Sequence, residues 1–225
     1  MSNPRDEVYI WPTWLSKLLV GDNSCEWAAW FKAHYQFTKL ADRDWTAYRI
    51  RHTALLNQKR LELEHSGYTV LTERQAEFKL KGRTGILHGR PDLIAVSPDD
   101  AVICELKTGE PYPSHKAQLM IYLYGLPLAI RQARGQLHPG LANLKGRTID
   151  GVLVYENADP VRVPSTAIEG EFKGKLTQLL RRISDSAPAT RVPSSGECAL
   201  CPIPLTECPE RAVPDQVLEA ETDEF

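Results

Sequence analysis

The chain has 225 residues, of which 42% are hydrophobic and 25% charged, proportions typical of a globular protein with one substantial domain. The formal net charge of −2 neither favours nor excludes a nucleic-acid partner. No stretch of about 18 apolar residues and no secretion signal occur, so we expect a cytoplasmic protein without a membrane span. The odd count of five cysteines disfavours a disulfide framework.

Helices are predicted at the start of the chain. Two short aromatic-rich helices are expected over residues 11–20 and 25–37, and a longer one from Arg43 to about residue 66, where Gly67 supplies the C-terminal stop.

One face of the long helix carries Trp45, Tyr48, His52 and Leu55, which are spaced 3, 4 and 3 residues apart. Residues with this spacing share a helix face, so we expect the face to pack on the core.

Three strands are predicted next, over residues 68–81, 86–96 and 101–107. The connections at 82–85 and 97–100 contain glycine, proline, serine and aspartate, which are typical of turns. Antiparallel hairpins are the simplest interpretation.

The second half of the chain predicts a helix over residues 114–129, a strand over 148–155 and a helix over 171–186. The order of elements indicates a mixed α/β fold.

Four regions are expected along the chain. They are an N-terminal helical segment (1–42), a core (43–187), a cysteine-containing segment (188–212) and an acidic tail (213–225). The last twelve residues carry five acids and no base, so we expect the tail to be solvated and flexible.

The central strands carry Asp92, Glu105 and Lys107. Side chains alternate along a strand, so Glu105 and Lys107 share a face. If the 97–100 turn closes a regular hairpin, Asp92 lies opposite Glu105, with Cβ atoms about 4.5–5.5 Å apart. Two carboxylates at that separation can share one divalent cation.

This arrangement suits phosphodiester hydrolysis. A metal lowers the pKa of a bound water, and an adjacent lysine can orient that water or stabilise the developing charge. The alternative is a surface strand with an ordinary Glu–Lys pair, because short motifs often occur by chance.

The residues around these groups resemble the PD-(D/E)XK nuclease superfamily and, within it, the RecB-type branch. The pattern comprises Gly89-x-x-Asp92 with Pro91, Glu105-x-Lys107-Thr108-Gly109, Gln118-x-x-x-Tyr122 and an upstream His52. The resemblance implies a restriction-endonuclease-like α/β core, with a mixed sheet that has a central antiparallel meander flanked by helices.

The resemblance also implies roles for single residues. His52, Asp92, Glu105 and the backbone carbonyl of Leu106 would bind Mg²⁺ or Mn²⁺, and Lys107 would assist the attacking water.

Three further roles follow from the same resemblance. Gln118 and Tyr122, four residues apart on one helical face, would position the DNA strand. An accessory acid is expected on the preceding strand, either Glu73 or Glu77, although either could instead face solvent.

Four cysteines are candidate metal ligands: Cys25, Cys198, Cys201 and Cys208. Thiolates at this spacing can bind one metal centre, whereas Cys104 alternates with the catalytic residues and is expected in the core. The layout resembles iron–sulfur nucleases of the RecB-like group, which implies a [4Fe-4S] cluster joining the N- and C-terminal segments. Zinc and free thiols are the alternatives.

Candidate DNA contacts are Lys116, Arg131 and Arg134, since basic side chains can bind phosphates. An ordinary solvated loop is the alternative. Aromatic residues after Cys25 could stack bases, but we expect them in the core: Trp27, Trp30, Phe31 and Tyr35.

By resemblance to the small CRISPR-associated RecB-like exonucleases, we expect an exonuclease acting on DNA ends, single-stranded or unwound. The expected setting is CRISPR spacer acquisition beside an integrase complex. The alternatives are a phage or recombination and repair nuclease of the same fold, and a non-catalytic iron–sulfur subunit that binds DNA.

Overall fold

The structure is a computed structural model that describes residues 2–40, 44–133 and 137–212. Arg43, Arg134 and the acidic tail lie outside the described residues.

The described residues form helices and strands in mixed order. The helices are α1 (Pro12–Val20), α2 (Glu26–His34), α3 (Thr46–His65), α4 (Pro113–Gln132), α5 (Pro139–Ala142), α6 (Gly170–Ser184) and α7 (Ser195–Leu200). The strands are β1 (Asn3–Pro4), β2 (Tyr9–Ile10), β3 (Tyr35–Gln36), β4 (Thr69–Thr72), β5 (Phe78–Lys81), β6 (Ile86–Gly89), β7 (Leu93–Val96), β8 (Ala101–Lys107), β9 (Asp150–Tyr155) and β10 (Val161–Val163).

The predicted helices α1, α2, α3, α4 and α6 are all present, with ends that differ from the prediction by a few residues. Proline at the first position of α1 and α4 suits a helix start, because an N–H at that position would have no acceptor within the helix and proline has none to satisfy. Gly67 follows α3 with φ 87°, a left-handed conformation that favours glycine and ends the helix.

The prediction of two long strands over residues 68–81 and 86–96 was wrong. A 3-10 helix at Glu73–Gln75 separates β4 from β5, and residues 90–92 separate β6 from β7. Pro91 has no N–H for a ladder hydrogen bond, which is one physical reason for the second interruption. Each predicted strand therefore contributes to two different sheets.

The larger sheet has five strands in the order β10-β9-β8-β7-β4. Strands β8 and β9 are parallel and the other neighbours are antiparallel, so the sheet is mixed. The smaller sheet has the order β2-β6-β5, and β1 pairs with β3. The expected meander is reduced to the antiparallel run β4-β7-β8.

Helices cover both faces of the larger sheet. On one face, Leu119 and Leu126 of α4 pack in a buried cluster with Ile94 and Ile103 of the sheet. On the other face, α3 packs through Leu56 and Leu63 against residues of β7 and β8. Strand β8 therefore lies between two helical layers.

The predicted core face of α3 is only partly correct. Trp45 and Tyr48 are 42% and 41% exposed, whereas Leu56 and Leu63 are buried. The helix therefore packs through its C-terminal two-thirds, and its first turns stand clear of the sheet.

A second buried cluster joins the N-terminal helices to α6. Trp27, Trp30 and Phe31 of α2 pack with Leu176 and Leu179 of α6. These aromatic rings are buried, as the sequence predicts.

The segments on either side of the core also contact each other. The Glu197 carboxylate accepts hydrogen bonds from the backbone N–H groups of Ser24 (2.8 Å) and Cys25 (3.2 Å). The Trp27 N–H donates to the Thr190 carbonyl at 2.9 Å.

Within the described parts of the chain, no helix has the length and apolar character needed to cross a bilayer.

Candidate active site

Asp92 and Glu105 meet where β7 and β8 pair. The register pairs Val96 with Ala101 and Leu93 with Cys104, as the sequence predicts for a regular hairpin. Asp92 precedes Leu93, and its Oδ2 accepts a hydrogen bond from the Leu106 N–H at 2.8 Å. The Asp92 side chain therefore reaches across to the strand that carries Glu105.

The Glu105 carboxylate is buried, with 3% of the residue exposed. Burial and then the negative charge of Asp92 raise its pKa to about 7, although Lys107 opposes the shift. Its Oε2 accepts no hydrogen bond from the described residues. A buried carboxylate oxygen without a partner is costly, and a cation would offset that cost.

Lys107 and Gln118 hold the other oxygen of Glu105. Lys107 Nζ donates to Glu105 Oε1 at 2.9 Å and to Gln118 Oε1 at 3.1 Å, while Gln118 Nε2 donates to Glu105 Oε1 at 2.6 Å. Burial alone would lower the pKa of Lys107, but the Glu105 carboxylate outweighs it and the pKa is raised. Lys107 is therefore a cation at neutral pH.

Tyr122 extends this network along α4. Gln118 Nε2 donates to the Tyr122 hydroxyl at 3.1 Å, and that hydroxyl donates to the Arg90 carbonyl at 3.2 Å. Gln118 and Tyr122 thus share the helical face that the sequence predicts. Tyr122 also fixes the backbone just before Asp92.

His52 approaches Asp92 from α3, with 3.5 Å between His52 Nε2 and Asp92 Oδ2. The hydrogen bond to Asp92 raises the pKa of His52, and burial opposes this shift. The structure therefore brings His52 to the carboxylates from a separate helix.

The donor set fits a hard divalent cation in its chemistry. Asp92 and Glu105 supply carboxylate oxygens, one of them buried and unpartnered, and such cations prefer oxygen ligands. Over residues 2–40, 44–133 and 137–212, however, no group of three or more His, Cys, Asp or Glu side chains is arranged to hold a metal ion. In the described residues, His52 therefore does not complete a ligand group with Asp92 and Glu105.

The two candidate accessory acids have different surroundings. Glu77 is paired, with Oε1 2.7 Å from His88 Nε2 and Oε2 3.1 Å from Arg90 Nη2. Glu73 has an exposed side chain, its N–H donates to the Asp92 carbonyl at 3.2 Å, and its φ is 37°. Glu73 therefore contacts Asp92 through its backbone, in a conformation that is unusual for a residue other than glycine.

The predicted basic contacts are dispersed. Lys116 is exposed near the start of α4, two residues before Gln118. Arg131 is exposed 13 residues after Gln118, about 20 Å along the helix axis. Arg134 lies outside the described residues.

The four candidate cysteines line one cavity of about 1100 Å³. Burial raises the pKa of Cys208, Arg191 opposes the shift, and the other three cysteines add to it. Within the part of the chain that the structure describes, their sulfurs are not arranged as a ligand group for a metal. Cys104 is buried against α3 and does not line this cavity, as predicted.

Two aromatic neighbours of the site were not assigned to it from the sequence. Tyr48 stacks on His52, with ring centroids 5.7 Å apart at 27°. The Tyr155 hydroxyl lies 3.3 Å from Nδ1 of His115 on α4. The signal for Tyr48 was its position four residues before His52 on one helical face.

Residues 20–205 match the sequence family described as the PD-(D/E)XK nuclease superfamily. Because the match spans most of the chain, the protein belongs to this superfamily of nucleases, whose members generally use divalent metals such as Mg²⁺ or Mn²⁺. No curated protein matches the chain.

The solved structures that are similar to this chain include SSO0001 and an archaeal Holliday junction resolvase. The crystal structure of SSO0001 has a TM-score of 0.50 at 18% identity, covering 94% of this chain and 90% of that one, which supports the fold. Archaeoglobus fulgidus Hjc, a Holliday junction resolvase from an archaeal hyperthermophile, has a TM-score of 0.28 at 14% identity, covering 52% of this chain and 74% of that one. The latter score is too low to support an inference.

Proposed function

We propose that the protein is a divalent-metal-dependent exonuclease that hydrolyses single-stranded DNA from its ends. The observation that carries the proposal is the buried Glu105 carboxylate, which has one oxygen held by Lys107 and Gln118 and the other unpartnered beside Asp92. Membership of the nuclease superfamily supports the reaction class.

In this proposal, Asp92 and Glu105 would hold Mg²⁺ or Mn²⁺, and His52 and the Leu106 carbonyl would complete the ligand set when the metal is bound. When bound, the metal supplies an activated water and polarises the scissile phosphate. Lys107 places a positive charge within reach of the water and of the developing negative charge. Tyr122 positions the Arg90 backbone beside the DNA strand.

Gln118 acts as a positioning residue. Its amide donates to Glu105 and accepts from Lys107, which fixes the angle between the two charged groups. Glu73 is the proposed accessory acid, because the Glu77 carboxylate is already paired. Lys116, at the same end of α4 as Gln118, and Arg131 are proposed phosphate contacts.

The test uses end-labelled linear single-stranded DNA with Mn²⁺. Asp92→Ala and Lys107→Met are expected to lower the cleavage rate by about 100-fold or more, the usual cost of losing one such group. Asp99→Ala is the matched control, because it removes an exposed carboxylate at the other end of the same hairpin. Equal rates in all four proteins would refute the assigned site.

The requirement for a free end is tested with closed circular single-stranded DNA. An exonuclease leaves the circle intact and degrades the same DNA after linearisation. Cleavage of both forms at similar rates would show an endonuclease and would overturn the exonuclease part of the proposal.

We also propose that Cys25, Cys198, Cys201 and Cys208 bind a [4Fe-4S] cluster, with zinc as the alternative. Their shared cavity and the nearby contact between Glu197 and residues 24–25 support this assignment. Such a cluster would join the two terminal segments.

Metal analysis of anaerobically purified protein tests the cluster. Wild type is expected to be brown and to contain iron, Cys25→Ser and Cys198→Ser to lose it, and Cys104→Ala to keep it. Stoichiometric zinc in a colourless protein would establish the alternative. Absence of both metals would refute a metal site at these cysteines.

CRISPR spacer acquisition beside an integrase complex is the proposed setting, on the sequence resemblance alone. In cells with a CRISPR array, Asp92→Ala is expected to reduce the addition of new spacers. Unchanged acquisition would favour a phage or repair nuclease. A wild-type protein that binds DNA but cleaves none would favour a non-catalytic subunit.

A further inference from the structure

Exposed aromatic side chains are concentrated in one place on the described surface. Of the Phe, Trp and Tyr residues in the described ranges, those classed as exposed are Trp45, Tyr48 and Tyr112, at 42%, 41% and 58%. All three line the cavity of about 1100 Å³ that the four candidate cysteines also line. Large rings are costly to leave in water, so their grouping in one cavity favours a binding role.

These rings adjoin the catalytic carboxylates. Trp45 contacts Tyr48 edge to face at 5.8 Å, and Tyr48 stacks on His52, which in turn lies 3.5 Å from Asp92. Tyr112, at the start of α4, contacts His115 edge to face, with ring centroids 5.5 Å apart. The rings therefore lie at the N-terminal ends of α3 and α4, beside the end of β8.

The charges of the same cavity favour a polyanion. Its lining side chains include four cations, Lys17, Lys32, Arg191 and Arg211, and two anions, Asp22 and Glu197. Lys17 is exposed, whereas Arg191 pairs with Glu210 and Arg211 donates to backbone carbonyls. Glu197 already accepts two backbone hydrogen bonds. Exposed rings in one cavity with an exposed cation such as Lys17 suit a single strand, because phosphates can pair with the cation while unpaired bases stack on the rings.

We infer that Trp45, Tyr48 and Tyr112 form a base-stacking platform that selects unpaired nucleotides next to the catalytic centre. The inference rests on the proposed nuclease function and gives it a structural basis for strand selection. Paired bases in a duplex already stack on each other and expose only edges to such rings, so a duplex gains little from the platform.

The test measures binding by fluorescence anisotropy in EDTA, where cleavage is blocked. The probes are a labelled oligothymidylate of about 12 nucleotides and a blunt hairpin duplex. Trp45→Ala and Tyr112→Ala are expected to weaken oligothymidylate binding at least about fivefold each, the lower end for losing one stacking ring. Tyr112→Phe keeps the ring and should bind as wild type.

Leu61→Ala is the matched control, because Leu61 lies on α3 with 46% exposure and does not line the cavity. Oligothymidylate affinities for Trp45→Ala and Tyr112→Ala that equal those of wild type and Leu61→Ala would overturn the inference. An equal loss of duplex affinity, or no binding by wild type, would do the same. Cleavage of DNA by wild type in Mn²⁺ reports separately on the proposed function.

Discussion

A single glutamine organises the charged groups of the candidate site. Gln118 can donate to Glu105 and accept from Lys107 at once, because an amide carries both a donor and an acceptor. A glutamate there would add a third acid beside Asp92 and Glu105, and a methionine would leave both Glu105 and Lys107 short of a hydrogen-bond partner. The helix α4 thus contributes chemistry as well as packing to the centre.

His115 gives a test of the electrostatic field beside Lys107. Burial, and then the positive charges of Lys107 and Lys17, lower its pKa to about 4. Its Nδ1 accepts the Tyr112 N–H at 3.4 Å, which requires an unprotonated nitrogen. An NMR titration of the ring is therefore expected to show a midpoint near pH 4, and Lys107→Met should raise it.

The sign of the linked stability effect follows from the same pKa. Between about pH 6.5 and 4 the unfolded chain binds more protons at His115 than the folded one, so the free energy of unfolding falls as the pH falls through this window. His115→Gln should lessen that decline. In the NMR titration, Lys81→Met is the charge control for Lys107→Met. A His115 midpoint near pH 6.5 in wild type would contradict both predictions.

The proximity of Asp92 to Glu105 could be predicted from the sequence, because the turn residues at 97–100 and the alternation of side chains along the strands fix the hairpin register locally. The exposure of Trp45 and Tyr48 could not be predicted in this way. Their spacing with His52 defines a common helix face, but only the packing of α3 on the sheet decides how much of that face is covered.

The pairing of strands β5 and β6 depends on glycine at position 89, which has no side chain. Gly89 lies opposite Phe78, and a Cβ added at Gly89 would overlap the Phe78 ring. Gly89→Ala is therefore expected to lower the free energy of unfolding in urea by about 1–3 kcal/mol. Phe78→Leu should cost less in the Gly89→Ala background than in wild type, because the clash is relieved.

Gly174→Ala is the contrasting substitution. Gly174 lies inside α6 with no atom within 4 Å of an added Cβ. Alanine is expected to stabilise the protein there by about 0.5–1 kcal/mol. Similar effects at both glycines would show that helix and strand propensity, and not the Phe78 ring, determines the outcome.

The helices were easier to predict from the sequence than the strands. Prolines at helix starts and Gly67 at the end of α3 are local signals. The division of 68–81 between two sheets has no such signal, since residues 73–77 contain neither glycine nor proline. The parallel pairing of β8 with β9 joins segments over 40 residues apart and depends on long-range packing.

Over the whole molecule, Glu197 joins the chain around Ser24 and Cys25 to the C-terminal segment. Glu197→Ala is expected to lower the free energy of unfolding by about 0.5–1.5 kcal/mol, since one exposed and one half-buried backbone donor lose a charged acceptor. Hydrogen exchange should quicken at those two amides.

Glu210→Ala tests whether loss of any acid from this segment has the same effect. Glu210 pairs with Arg191 at 2.5 Å and has a side chain that is 63% exposed. Exposed pairs contribute about 0–1 kcal/mol, so a smaller loss and unchanged exchange at Ser24 and Cys25 are expected. Matching losses in the two variants would argue against a specific connection through Glu197.

The two carboxylates of the site rest on different supports. Glu105 belongs to a strand flanked on both sides within the larger sheet, whereas Asp92 lies in the short link between strands of two sheets. The distance between the two carboxylates therefore depends on how the two sheets are positioned relative to each other. Gly125 contributes to that position, because its lack of a side chain lets α4 pack closely on Phe78 and Leu87 of the smaller sheet. In the proposed function, a larger residue at Gly125 would therefore change the affinity for a divalent ion although Asp92 and Glu105 are unchanged, so that affinity would also depend on packing far from the site.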